Sequence, residues 1–110
     1  MPDPGDATRY EYAVACEAAR QLRLTATTVD QVVGRIESRL PLVREDWRGG
    51  ARRQFDATIA PRQRHGRALA VGLRALATHI EEHAEAERQQ QADAARMAMN
   101  RTQQTRNLPR

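Results

Sequence analysis

The stretch of this chain whose residue types match a catalytic motif is His79-Ile80-Glu81-Glu82-His83, the H-x-x-E-H order of inverted zinc peptidases. On a helix, histidines four residues apart share a face, so two imidazoles there could hold one metal ion. The rest of the chain does not support that chemistry. His83 falls on an apolar seam described below, no third ligand stands at a sensible distance, and 110 residues offer no substrate cleft. The pattern reads as the polar end of a core stripe, with no metal, no cofactor and no catalysis expected. His65 stands in an arginine-rich stretch and is expected to be exposed. Cys16 is the only cysteine; it permits no internal disulfide and lacks the second thiol of a zinc or redox motif.

The other candidate chemistry is phosphate binding. Eighteen basic against fourteen acidic residues leave a net charge of +4, and all eighteen are arginine, a side chain that suits phosphate. A nucleic-acid binder is therefore one reading. Against it, arginines and acids are interspersed over most of the first half, nothing resembles a groove-reading helix module, and the four aromatics are not spaced as a base-stacking platform. A solvated helical surface explains the charges more simply. Their distribution is uneven. Residues 44–67 hold seven arginines against Glu45, Asp46 and Asp56, whereas Asp3, Asp6, Glu11, Glu17, Glu81, Glu82, Glu85 and Glu87 would gather at the other end of a folded-back chain. Two such rods would be complementary when packed head to tail.

The elements that must position these groups are helices. The chain carries 19 alanines, four aromatics and few β-branched residues outside helix-core positions, which predicts a small all-α protein of one domain. From residue 12 to 47 a seven-residue pattern runs unbroken: Tyr12, Ala19, Ala26, Val33, Leu40 and Trp47 form one row, and Ala15, Leu22, Val29, Ile36 and Val43 the other. Asp6 or Thr8 could cap this helix, and Pro41 predicts a kink or early stop near Arg39 to Leu42. A second stripe runs Phe55, Ile59, Arg62, Gly66, Leu69, Leu73, Leu76, Ile80, His83, Glu87, with a bend expected beside Pro61 between Ile59 and Gly66. The helical hairpin is placed at residues 8–95, with a flexible N-terminus at 1–7 and a frayed helix and flexible tail at 96–110. Neither an 18-residue apolar run nor the basic and hydrophobic segments of a cleaved signal peptide is present, so no membrane span is expected.

Two helices of this length cannot enclose their own apolar stripes, so a partner is expected to cover what remains. The anchors of that interface are read as Leu22, Val29, Val33, Ile36 and Leu40 on the first helix with Leu69, Leu73, Leu76 and Ile80 on the second.

Between the two stripes lies Glu45-Asp46-Trp47-Arg48-Gly49-Gly50-Ala51, holding the only tryptophan. The glycine tolerates positive φ and close approach, and the indole two residues earlier can lie across both helices and fix how they meet. A Trp-x-Gly in mid-chain, flanked by apolar heptads in about a hundred residues and followed by Phe55, resembles the WXG100 (ESAT-6-like) family of type VII secretion proteins. The resemblance covers roughly residues 8–95. It implies an antiparallel two-helix hairpin that pairs into a four-helix bundle, as a homodimer or with another WXG100-like protein or domain. It also implies that Trp47 and Gly49 belong to a turn that the export machinery reads, and that the chain leaves the cytoplasm through the type VII system without a cleaved signal peptide. The family's tyrosine followed four residues later by an acid has no counterpart here: Tyr10 and Tyr12 are followed at that distance by Val14 and Cys16. Export in the company of a signal-bearing partner fits that departure. A cytoplasmic adaptor or chaperone for a larger toxin-like client is the alternative, and an arginine-rich nucleic-acid binder the third.

Overall fold

A computed structural model describes residues 4–108, with side chains from Ala7 onward. Two helices make up nearly all of it, α1 (Pro4–Asp46) and α2 (Gly50–Arg106), and no strand occurs among the described residues. They lie side by side in a rod of 95 × 21 × 17 Å. The expected all-α hairpin is the observed fold. Alanine supplies much of the helix propensity. Threonine, a weaker helix former, is accommodated through its hydroxyl: Thr25, Thr27, Thr28, Thr58, Thr102 and Thr105 each donate to the carbonyl four residues back.

The helices run beyond several of the limits expected for them. Neither Pro41 nor Pro61 ends its helix. Each removes only one backbone donor, while Leu40 in the seam and the Arg44–Asp56 ion pair at 2.8 Å hold the flanking turns against the other helix. At the start, α1 begins at Pro4, where a proline's missing donor costs nothing, and so precedes Thr8, one of the two expected caps. The side chain of Asp6, the other, lies outside the described residues, as do residues 1–3 of the expected flexible segment. At the far end α2 includes residues 96–106 of the segment expected as a frayed helix and flexible tail, and the Asn107 N–H donates to the Gln103 carbonyl at 3.1 Å to close it.

The core is a single seam, mostly of alanine. On α1 it comprises Ala19, Ala26, Val33 and Leu40, one of the two rows read from the sequence; on α2 it comprises Ala70, Ala77 and Ala84. Both rows step by seven. The α2 stripe is therefore rotated from its expected position. Ile59, Gly66, Leu73 and Ile80 are half-buried at the edge of the seam, whereas Arg62, Leu69, Leu76, His83 and Glu87 are exposed. Alanine facing alanine allows the helices to approach closely at the levels of Ala19 and Ala26, where a bulkier leucine from α2 would not fit between them. Gly66, which interrupts the expected stripe, has a place in this packing: a Cβ there would stand 2.7 Å from Val33 Cγ2. Near the open end the Thr8 hydroxyl donates to Gln91 Oε1, and the Arg88 guanidinium lies 4.8 Å from the centre of the Tyr12 ring.

Candidate functional site: an apolar face and a tryptophan turn

Each buried row has two flanks, because residues three and four positions further on lie on opposite sides of it. Four positions after the α1 row come Arg23, Asp30, Glu37 and Arg44, all half-buried and all charged. Three of them pair across the hairpin in steps of seven: Arg23 with Glu81 at 2.5 Å, Asp30 with Arg74 at 2.6 Å, and Glu37 with Arg67. The partner numbers fall as the α1 numbers rise, so the helices are antiparallel and held in one register. A slip of one heptad would set Arg23 against Arg74 or Asp30 against Glu81, opposing like charges. Arg23 holds the Glu81 carboxyl below the usual carboxylate range through its hydrogen bond, and Arg67 does the same for Glu37. Within α1, hydrogen bonds from Arg20 and then Gln21 lower Glu17 to about 2.

Three positions after the buried rows come Leu22, Val29, Ile36 and Val43 on α1, and Leu73 and Ile80 on α2. With the charged flanks meeting on one side, these apolar flanks meet on the other. A cavity lined by Ala15 of α1 together with Ile80, His83 and Ala84 of α2 marks their junction at the open end. Leu69 and Leu76, four residues before Leu73 and Ile80, widen the same face. The face is open: Ile36 is 43% exposed, Leu69 53% and Leu76 47%. Among the described residues no large side chain is fully buried anywhere in the hairpin.

The nine expected anchors thus divide into two sets. Val33 and Leu40 lie in the seam between the chain's own helices, each 7% exposed. Leu22, Val29, Ile36, Leu69, Leu73, Leu76 and Ile80 share the apolar face. The reading from sequence missed Ala70, Ala77 and Ala84 and the ladder of charges. Both were signalled by heptad steps, of alanine on α2 and of charged residues on both helices, but the larger apolar residues one position away drew the stripe toward themselves.

The turn is built as expected around Trp47 and Gly49. Gly49 has φ 73°, the only positive φ among the described residues, and stands immediately before α2. The Trp47 N–H donates to the Arg44 carbonyl and the Arg53 N–H to that of Gly49, both at 3.2 Å, which closes one helix and opens the next. The indole packs edge-on against Phe55, with centroids 4.9 Å apart and planes at 77°. Trp47 thereby ties the end of α1 to the first turns of α2, yet it stays 43% exposed.

His79 and His83 are exposed, His83 Nε2 lies 3.1 Å from Glu87 Oε1, and among the described residues no three histidine, cysteine or acidic side chains converge on one point. His83 is on the surface rather than on the seam, a consequence of the rotated α2 stripe. His65 is exposed and Cys16 is half-buried and unbridged. No helix is long and apolar enough to cross a membrane among the described residues. No protein-family model, curated protein or solved structure matches the chain.

Proposed function

We propose that this chain acts by protein–protein association, as a WXG100-like hairpin that pairs through its apolar face with a second helical hairpin to form a four-helix bundle. The observation that carries the reading is where the chain puts its leucines. Five alanines fill the seam between α1 and α2 together with Val33 and Leu40, while Leu69 and Leu76 remain on one outer face beside Ile36, opposite a flank satisfied by its own ion pairs. Full burial of a side chain of that size contributes about 1.5–3 kcal/mol, and these are about half covered, so each would gain about 1 kcal/mol on pairing. A face with several of them is a surface awaiting a partner.

The Trp47-x-Gly49 turn supports the more specific form of the proposal, in which the bundle is a type VII secretion substrate or part of one. Because neither tyrosine is followed by an acid four residues on, the partner supplies the export signal and the two leave together. The test is fractionation of the organism that carries the chain. The chain is expected in the culture medium when the type VII machinery is intact and absent when its motor is deleted, and Leu69→Asp should abolish its appearance there. A chain that stays in the cytoplasm while its bound client is exported would instead establish the chaperone reading.

A further inference from the structure

The turn end of the rod combines two features that the pairing face does not use. The first is unneutralised positive charge. Arg39, Arg48, Arg52, Arg53, Arg62 and Arg64 are exposed and form no ion pair among the described residues. The acids of the same region are Glu45, Asp46 and Asp56, of which Asp56 is taken by Arg44. The second is apolar surface among those arginines: Leu42 is 65% exposed and Trp47 43%.

We propose that this end of the hairpin docks on the surface of an anionic lipid bilayer, with Trp47 and Leu42 entering the headgroup boundary and the surrounding arginines meeting lipid phosphates. Positive charge alone would suit any polyanion. The exposed leucine and tryptophan discriminate, because they gain nothing from the sugar-phosphate edge of a duplex but partition into the interfacial zone, where tryptophan is favoured. Stacking of unpaired bases is disfavoured as well, since the indole already packs against Phe55. The docking is peripheral: among the described residues no helix is long and apolar enough to cross a membrane. Each arginine near a negatively charged leaflet contributes about 1 kcal/mol, so three of them change the affinity roughly 100-fold. The proposal is independent of pairing through the apolar face.

Trp47 is the only tryptophan, so its fluorescence reports on this site alone. The experiment floats the full chain with vesicles of phosphatidylcholine and with vesicles of phosphatidylcholine and phosphatidylglycerol in equal parts, recording the Trp47 emission in parallel. Flotation and a blue shift are expected with the mixed vesicles only, both reversed by salt. Replacing Arg48, Arg52 and Arg53 together by glutamine should weaken binding roughly 100-fold with helix content unchanged. Replacing Arg96, Arg101 and Arg106 by glutamine, which removes the same charge from the other end of α2, should leave it intact. Trp47→Ala, read by flotation, should also weaken it. Equal binding to both vesicle types, equal loss from both arginine triplets, or binding to soluble polyphosphate or duplex DNA with no blue shift on vesicles would each overturn the proposal.

Discussion

Gly66 on α2 lies so close to Val33 on α1 that a methyl group on the glycine would stand 2.7 Å from Val33 Cγ2. Valine is held near one rotamer in a helix and cannot swing aside, so the missing side chain sets how closely the helices approach at that level. Gly66→Ala gains up to about 1 kcal/mol of helix propensity but overpacks the seam by about 1–3 kcal/mol. A net loss of about 1 kcal/mol is expected in urea denaturation. Gly72, which has nothing within 4 Å of the equivalent position, should become more stable as alanine by up to about 1 kcal/mol. If Gly66→Ala stabilised as much as Gly72→Ala, the close approach would be refuted.

The turn makes a second prediction. Gly49 has φ 73°, whereas Gly50, the first residue of α2, does not adopt positive φ. Gly49→Ala should lower stability by about 1–2 kcal/mol through the left-handed backbone, and Gly50→Ala should be neutral or stabilising. Thermal midpoints of the two variants check this, and equal effects would contradict it.

Acid should loosen the hairpin. Glu81 and Glu37, each paired across the seam, have carboxyl pKa values below the usual range because of Arg23 and Arg67. A folded-state pKa below the unfolded one stabilises the fold fully above the unfolded value, near about 4.3, and that contribution is lost as pH falls through the folded value. The thermal midpoint should therefore drop between about pH 5 and about pH 3, by less at high salt because the pairs are exposed. A midpoint that stays level or rises on acidification would show that the ladder does not hold the helices together.

Fold and site were legible in the sequence to different degrees, for physical reasons. The hairpin, its antiparallel turn and the buried α1 row could be read directly, because a seven-residue period and a tryptophan–glycine turn are local patterns. The face of α2 that meets α1 was not so readable. Leu69, Leu73, Leu76 and Ile80 are the most apolar residues of that helix, and a reading by hydrophobicity centres its stripe on them. The close contact instead selects Ala70, Ala77 and Ala84, because alanine facing Ala19 and Ala26 lets the backbones approach. Val33 and Leu40 consequently moved from an intermolecular role to the hairpin's own core. Pro41 was read as a kink or early stop and Pro61 as a bend; each helix continues through its proline, and at Pro41 the packing of Leu40 and the Arg44–Asp56 ion pair outweigh the loss of one hydrogen bond.

The two sets of apolar residues should respond differently to charge. Val33→Asp places an unpaired carboxylate in the seam and should cost about 3–5 kcal/mol, unfolding the hairpin, as seen by loss of helical circular dichroism. Leu69→Asp, on the open face, should leave the helices of an isolated hairpin intact. Loss of helix in both variants to the same extent would mean that the open face belongs to the fold of the single chain.

The measurement that tests the central claim most directly is the solution mass of the purified chain by light scattering at two concentrations, beside that of Leu69→Asp. A species of twice 12.4 kDa that reverts to 12.4 kDa in the variant is the predicted result for self-pairing. A folded 12.4 kDa species that is unchanged in mass by the substitution and captures no second hairpin would contradict the claim that this face is built for association.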